Sequence, residues 1–296
     1  MESLSILIPT YNTACVELVE SLQAQAALLQ GCKVEIIVAE DGSTCADIIT
    51  QNQAIGQTAP ACRYIRRREN VGRAAIRNFL ARQAQYDWLL FLDSDMTIDN
   101  ACFLQNYISH APQGGVVYGG YRIVPPSGKP AHNLRYLFEK HAPQNSDCKL
   151  RRLHPYQDFH TSNFLVRRQL MLAYPLDERF RHYGYEDVLW GKRLQQAGIG
   201  IEHVDNPTLM RDFEDNAAFL AKTEEGLRTL FQFRDELQGY SRLLALDRLL
   251  PGFVAGFIGN MYQWLHRAIK ARLTGNKPSL FWFNIYKVMY YWSIRS

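Results

Sequence analysis

Short apolar runs that end at polar clusters recur through the first hundred residues. The runs cover 3–9, 34–39 and 88–92, and their length and turn-forming flanks are typical of buried strands. Between them, 15–29 and 72–83 carry apolar residues at helical spacing. Alternating strand and helix signals predict an α/β fold in which right-handed crossover helices join parallel strands.

Each of these runs stops at a polar cluster. The clusters are Thr10-Tyr11-Asn12, Glu40-Asp41-Gly42-Ser43 and Asp93-Ser94-Asp95. Parallel strands place their carboxyl ends at one edge of the sheet, where open α/β sheets bind ligands. Asp93 and Asp95 offer two hard oxygen ligands, which suit Mg²⁺ or Mn²⁺ together with substrate phosphates. A short D-x-D sequence is also an ordinary polar loop, but three clusters at equivalent strand ends favour a ligand site.

The composition and hydrophobic pattern of the chain change twice after residue 110. We predict a catalytic domain over 1–215, with 1–110 as its nucleotide-binding half and 111–215 as its acceptor half, followed by a helical region over 216–296. Residues 125–160 are rich in Pro, Asn, Gln, His and basic side chains. We expect them to form a long irregular stretch bordering the acceptor site, because such stretches usually carry function or disorder.

Five motifs along the chain resemble those of the family 2 glycosyltransferases with the GT-A fold. They are Ile8-Pro9-Thr10-Tyr11-Asn12, Glu40-Asp41-Gly42-Ser43, Glu69-Asn70-Val71-Gly72-Arg73, Asp93-Ser94-Asp95 and Tyr185-Glu186-Asp187. The resemblance extends over about residues 3–207. It implies a Rossmann-like, mostly parallel central sheet flanked by helices, a nucleotide-diphosphate sugar donor, a divalent metal (Mn²⁺ or Mg²⁺), and inversion at the anomeric carbon.

The resemblance also implies roles for the metal ligands and the catalytic carboxylates. Asp95 would bind the metal directly, and Asp93 would reach the ribose, or the metal through water. His203 is a candidate third ligand, although a lone His is more often a packed or surface residue. Asp187 would be the general base that takes the proton of an acceptor hydroxyl, with Glu186 binding sugar hydroxyls. Acidic residues at a helix start are also ordinary partners of the helix dipole.

A further set is predicted to bind the donor. Its members are Pro9, Thr10, Tyr11, Asp41, Asn70, Gly72, Arg73, Asp93, Ser94 and Asn163. Asp41 would accept an N–H of the base, which leaves UDP, GDP and dTDP open. Arg73 would pair with a phosphate or orient Asp93; Arg77 lies one turn on along the same face, and both can equally be a solvated helical face. The turn at Asn163 resembles the one beside the donor sugar in this family.

Composition narrows the partners and the compartment. With a net charge of only +4 and no basic block, nucleic-acid binding is unsupported. Six cysteines without a C-x-x-C spacing, and no visible secretory signal, predict a reduced cytoplasmic protein. Residues 249–265 lack charge and precede basic and aromatic residues, which favours peripheral contact with an anionic membrane surface. Packing on the catalytic domain and a homodimer interface are the alternatives.

The predicted function is transfer of one sugar per encounter from a nucleotide sugar, UDP-linked in our interpretation, to a glycan or lipid-linked acceptor. Surface polysaccharide or lipopolysaccharide synthesis at the inner face of a membrane is the expected setting. The Gln-x-x-Arg-Trp motif of processive synthases in this family does not occur. A nucleotidyltransferase is an alternative, although it would want a Gly-rich loop where this chain has Pro9-Thr10-Tyr11-Asn12. A non-catalytic sugar-nucleotide binding module is the other.

Overall fold

The computed structural model describes residues 1–58, 61–110 and 115–295. The strands are β1 (Ser3–Thr10), β2 (Lys33–Asp41), β3 (Cys62–Arg67), β4 (Trp88–Leu92), β5 (Met96–Thr97), β6 (Val116–Tyr118), β7 (Tyr121–Ile123), β8 (Asn163–Arg167), β9 (Ile201–His203) and β10 (Thr208–Met210). The helices are α1 (Val16–Leu28), α2 (Ala46–Gln53), α3 (Ile55–Thr58), α4 (Arg73–Gln83), α5 (Phe103–Ser109), α6 (Leu134–Lys140), α7 (Cys148–Arg151), α8 (Arg168–Ala173), α9 (Glu186–Gln196), α10 (Asn216–Gln232), α11 (Arg242–Leu249), α12 (Gly252–Thr274) and α13 (Leu280–Ser293).

A seven-stranded sheet in the order β3-β2-β1-β4-β8-β6-β9 forms the centre of the fold. Only β8 runs against its neighbours β4 and β6, and the other pairs are parallel. The predicted α/β fold with a mostly parallel sheet is therefore confirmed. The strands β2, β1 and β4 are adjacent and parallel, so their carboxyl ends share one edge.

Alternate residues of the central strands pack on opposite faces of this sheet, as the two-residue period of a strand requires. Ile6 and Leu90 belong to the cluster that includes α1 and α5 side chains. Leu7 and Phe91 belong to the cluster that includes side chains of α4. Because both faces are covered, the strands are apolar throughout, which is why the sequence pattern located them.

A second, three-stranded sheet in the order β5-β10-β7 was not predicted. Its strands have two or three residues each, too few for a period-two pattern to stand out. It matters for the site because β5 follows the Asp93-Ser94-Asp95 turn directly. Pairing of β5 with β10 thus fixes the backbone that directly follows the turn.

Residues 125–160 contain more regular structure than predicted. Two short 3₁₀ helices, Pro130–His132 and Pro143–Asn145, accompany α6 and α7 in this stretch. Asn133 caps α6 by accepting the amide of Tyr136 at 2.7 Å, and Asp147 caps α7 by accepting the amide of Lys149 at 2.8 Å. The expectation of a long irregular stretch was therefore wrong, because side-chain caps stabilise helices too short to show apolar periodicity.

The chain forms two compact units. The first comprises Met1–Val124, Gln144–Arg181 and Trp190–Arg211, and the second comprises Pro125–Pro143, His182–Leu189 and Asp212–Ser296. Two internal segments thus group with the C-terminal helices. The predicted domain boundary at residue 215 stays a prediction, and the one at 110/111 adjoins 111–114, outside the described residues.

The second unit is helical, as predicted for the C-terminal part. The rings of Phe138, Phe219 and Phe283 join α6, α10 and α13 with centroid separations of 5.4–5.8 Å. Glu224 on α10 accepts hydrogen bonds from Tyr286 at 2.6 Å and Lys270 at 3.0 Å. Within the described ranges, no helix is both long enough and apolar enough to cross a bilayer.

Candidate active site

The loops that follow β1 and β2 are held together as one surface. Asn12 adopts a left-handed conformation with φ of 50°. Its amide donates to Ser43 Oγ at 2.6 Å, and its Oδ1 accepts the amides of Thr44 and Cys45 at 2.8 and 3.0 Å. The Tyr11 ring beside it is 48% exposed. An exposed aromatic ring on a fixed loop can stack against a nucleobase, and donor binding by Tyr11 stays a prediction.

Asp41 ends β2 and organises the loop before α4. Its side chain is buried, and it accepts the backbone N–H groups of Val71 and Gly72 at 3.1 Å each. Burial raises the pKa of Asp41 despite these hydrogen bonds and the nearby Arg67 guanidinium. A carboxylate has about four acceptor positions, so acceptor capacity remains. Recognition of a base by Asp41 stays a prediction.

Two glycines allow the backbone of this loop to lie close to neighbouring backbone segments. Gly42 has φ of +71°, and a Cβ there would lie 2.3 Å from the amide nitrogen of Asn70. Gly72 has φ of +90°, and its Cβ would lie 2.9 Å from the carbonyl oxygen of Arg181. Both positions therefore require glycine for its conformation and for the space it leaves.

Replacing Gly42 with alanine tests this close approach. We expect Gly42→Ala to lower the free energy of unfolding by about 3 kcal/mol or more, because left-handed strain and a backbone clash add. Gly31→Ala is the matched control, since Gly31 has φ of +74° and no atom within 4 Å of its Cβ position. It should cost only about 1–2 kcal/mol. Chemical denaturation measures both, and equal costs would show that the loops do not touch.

Arg77 on α4 forms an ion pair with Asp93. The Arg77 side chain is 2% exposed, and it donates to Asp93 Oδ1 and to the carbonyl oxygen of Arg73 at 3.0 Å. A solvated role for Arg77 is therefore wrong, because its guanidinium is buried against the D-x-D turn. Asp93 thus pairs with Arg77, and the role predicted for Arg73, to pair with a phosphate or to orient Asp93, stays a prediction.

The Asp93-Ser94-Asp95 turn is fixed at both ends. The Asp93 amide donates to the carbonyl oxygen of Ser162 at 2.9 Å, and its own carbonyl accepts the Met96 amide at 3.3 Å. Asp93 and Ser94 are half-buried, and Asp95 is exposed. Buried Ser162 Oγ beside them has no hydrogen-bond partner. This turn therefore offers two carboxylates and a hydroxyl next to the buried guanidinium of Arg77.

The carboxylates at this turn fit a divalent ion whose remaining ligands are phosphate oxygens and water. No group of three or more His, Cys, Asp or Glu side chains is arranged as a metal cage in the part of the chain that the structure describes. Mg²⁺ and Mn²⁺ are commonly held by one or two carboxylates plus phosphate oxygens and water. Asp93 and Asp95 suit that mode of binding, and Arg77 limits how freely Asp93 can turn toward an ion.

His203 lies in a different environment from the one predicted for a metal ligand. The β8 and β6 strands separate β9 from β4, a span of about 14 Å at 4.8 Å per strand. Its Nδ1 accepts a hydrogen bond from Arg151 Nε at 3.2 Å, and its Nε2 donates to the Pro155 carbonyl at 2.8 Å. Burial lowers the pKa of His203 to about 4. The structure favours a packing role, and metal ligation by His203 stays an untested prediction.

Asn163 is fully buried and holds the beginning of β8. Its Nδ2 donates to the carbonyl oxygens of Gly120 and Asn206 at 2.8 and 2.9 Å, and its Oδ1 accepts from Tyr107 at 2.7 Å. Both amide protons are therefore committed inside the protein. Sequence analysis missed the Tyr107 and Asn206 partners, because nothing in a single sequence marks such distant contacts.

Glu186 and Asp187 lie in the first turn of α9, in the second unit. Tyr185 immediately before them has φ of 70°, which is uncommon for a residue with a Cβ. The preceding segment is held by α10, since Glu225 accepts the Tyr183 amide and Thr229 donates to the Tyr183 carbonyl, both at 3.1 Å. Strain of this kind often occurs where a functional side chain must point in one direction.

Known proteins similar to this chain are glycosyltransferases. Residues 5–173 match the family described as Glycosyl transferase family 2. Chondroitin synthase of Escherichia coli is 27% identical over 243 residues, which cover 69% of this chain and 34% of that protein. Poly-beta-1,6-N-acetyl-D-glucosamine synthase of Staphylococcus aureus is 29% identical over 128 residues, 42% of this chain and 29% of that protein. The chain spans about a third of the length of these curated relatives.

Solved structures agree with the fold. Mannosyltransferase PcManGT from Pyrobaculum calidifontis, in complex with GDP-Man and Mn2+, gives a TM-score of 0.59 at 14% identity, covering 99% of this chain and 86% of that one. S. aureus TarS in complex with UDP-GlcNAc gives 0.55 at 16% identity, covering 99% and 90%. Since the family match spans more than half of the sequence, the chain belongs to glycosyl transferase family 2.

Proposed function

We propose that this protein transfers a single sugar, with inversion, from a UDP-linked donor to a hydroxyl of a glycan or lipid-linked acceptor. Membership of glycosyl transferase family 2 supports the class of reaction. The observation that carries the proposal is the sharing of one sheet edge by the ends of β2, β1 and β4. In the spatial order β2, β1 and β4, that edge bears Asp41, Thr10 and Asp93.

The donor would lie along this edge. Tyr11 would stack on the base, and Asp41 and Asn70 would border it, with Arg73 at the diphosphate. Asp95 and Asp93 would hold a divalent cation, which offsets the negative charge that grows on the leaving diphosphate. A donor complex with UDP-GlcNAc and one with GDP-Man and Mn2+ are described for the similar structures, and they support a nucleotide-sugar donor and a metal here.

The transfer step needs a base on the acceptor side. The acceptor oxygen would form a bond to the anomeric carbon as the bond from that carbon to the diphosphate oxygen breaks. Asp187 would take the proton of the acceptor hydroxyl, and the nucleoside diphosphate would leave with the bonding electron pair. Glu186 would bind sugar hydroxyls. A setting in surface polysaccharide synthesis, on the inner side of a membrane, belongs to the same proposal.

Calorimetry with UDP tests the donor site. We expect UDP to bind in the presence of Mn²⁺ and to lose most of its affinity in EDTA. Asp95→Asn should weaken Mn²⁺-dependent UDP binding by more than about a hundredfold, because loss of even an indirect metal partner costs 10–100-fold. Asp99→Asn, an exposed carboxylate four residues on, is the control and should bind as the parent does.

Titrations with GDP and dTDP decide the nucleotide, and donor hydrolysis across a panel of nucleotide sugars then identifies the sugar. UDP binding that is indifferent to both EDTA and Asp95→Asn would remove the metal from the proposal. Failure of all three nucleotides to bind would argue against the donor site itself.

A further inference from the structure

Helix α12 is apolar on two opposite sides. Ala255, Gly259, Ile269 and Leu273 are buried on one side. The other side carries the exposed α12 face, which we define as Phe253, Phe257, Met261 and Trp264. At about 100° per residue, these four side chains fall within an arc of about 80°, opposite the buried side.

Exposure of the α12 face is large for side chains of this kind. Phe253 is 80% exposed, Phe257 67% and Trp264 87%. Leu249, in the last turn of α11, is also 80% exposed. A helix on the surface of a globular protein normally turns polar residues outward, and contiguous apolar exposure marks an interaction site. The exposed α12 face therefore calls for a partner that covers it.

Charge around this face indicates what that partner is. After Asp247 the sequence contains seven Lys and Arg residues and no Asp or Glu. Since the whole chain carries +4, the remaining residues are net negative, and positive charge is concentrated in this segment. By helical geometry, Arg267 lies on one side of the exposed α12 face and Arg272 on the other. Both side chains are exposed.

We propose that the exposed α12 face lies in the interface of an anionic lipid bilayer, with α12 parallel to the membrane plane. Phe and Trp side chains prefer the boundary between headgroups and acyl chains, and flanking arginines pair with lipid phosphates. A second copy of this chain meeting the same face would bring no acidic side chain from this segment to Arg267 and Arg272, because no Asp or Glu follows Asp247, whereas an anionic lipid surface supplies the complementary charge. The proposal goes beyond sugar transfer and does not depend on it.

Trp264 provides a direct reporter of this contact. The chain has five tryptophans; Trp88, Trp190 and Trp292 are buried, and Trp282 is half-buried. Mixing the protein with phosphatidylcholine vesicles that contain phosphatidylglycerol should shift tryptophan emission to the blue, and the protein should sediment with the vesicles. Vesicles of phosphatidylcholine alone should bind it more weakly, and about 1 M NaCl should reduce binding to the anionic vesicles, because the Debye length falls to about 3 Å.

Two double variants distinguish binding through the exposed α12 face from nonspecific hydrophobic binding. Phe253→Ser/Trp264→Ser should lower the partition coefficient by about a hundredfold or more, because two large side chains no longer leave water. Leu28→Ser/Leu153→Ser removes two other exposed apolar side chains, 79% and 68% exposed, and should bind as the parent does. Circular dichroism and thermal melting check that both variants fold.

Absence of binding to anionic vesicles would overturn the proposal, as would equal binding by the parent and by Phe253→Ser/Trp264→Ser. Equal binding to neutral and anionic vesicles would overturn the role of the arginines. Light scattering tests the alternative that a second copy of this chain binds the exposed α12 face. A dimer that Phe253→Ser/Trp264→Ser dissociates, without any vesicle binding by the parent, would assign the face to a second copy. UDP calorimetry on the same samples separates loss of membrane binding from failure of the donor site, because the membrane proposal does not require UDP to bind.

Discussion

Asp187→Asn is expected to lower kcat for sugar transfer by about 10² to 10⁴, because an amide cannot accept the proton of the acceptor hydroxyl. The substitution keeps the size of the side chain and its place in the first turn of α9. The Asp187 Oδ1 atom accepts the Val188 amide at 2.8 Å, and the amide oxygen of asparagine can accept it equally. We therefore expect Mn²⁺-dependent UDP binding to remain near the parental value. Steady-state transfer assays paired with calorimetry measure both quantities.

Asp235→Asn is the control for this experiment, since it removes an exposed carboxylate of the same unit and should leave transfer unchanged. Glu186→Gln should raise the KM for the acceptor more than it lowers kcat, in keeping with sugar binding. Turnover retained by Asp187→Asn would take the role of base from Asp187. Loss of UDP binding together with turnover would point to a disturbed fold rather than to a missing base.

The central sheet could be predicted because its physics is local. A strand buried on both faces needs an uninterrupted apolar run, and 88–92 is such a run. Its end is also local, since Asp93 cannot stay in the core without a partner. These two features located β4 and the polar turn after it without any knowledge of the tertiary structure.

The partner of Asp93 could not be predicted in the same way. Arg77 lies on a helix whose sequence is compatible with a solvated face, and only the packing of α4 on the sheet buries it. His203 shows the converse, because a histidine after a short strand looks available in sequence, yet Arg151 and the Pro155 carbonyl occupy its ring nitrogens. Side chains that depend on distant partners are decided by tertiary structure.

The C-terminal region shows a third limit. Its apolar and aromatic content predicted either membrane contact or packing on the protein, and the structure gives α12 one buried apolar side and one exposed apolar side. Ile269 and Leu273 are buried inside the helical unit. Phe257 and Trp264 point to the outside. A hydrophobic pattern records only that a side chain avoids water, so the two faces separate only once the neighbouring helices are in place.

The ion pair between Arg77 and Asp93 carries the second large expected effect. Arg77 is 2% exposed and Asp93 19%, so the two single variants should differ. Asp93→Ala leaves a buried guanidinium whose Nε already has no hydrogen-bond partner, and we expect it to lower the free energy of unfolding by about 3–5 kcal/mol. Arg77→Met leaves a carboxylate that water can still reach, which should cost about 1–3 kcal/mol.

The double variant decides between an ion pair and two independent contributions. Arg77→Met/Asp93→Ala removes both charges, and it should be less destabilised than the sum of the single variants by about 1–3 kcal/mol. Arg82→Met is the matched control on the same helix, because Arg82 is 53% exposed and pairs with Glu178 at 3.7 Å. It should cost less than about 1 kcal/mol. Urea denaturation gives all four values, and strict additivity would mean that Arg77 does not hold Asp93 in place.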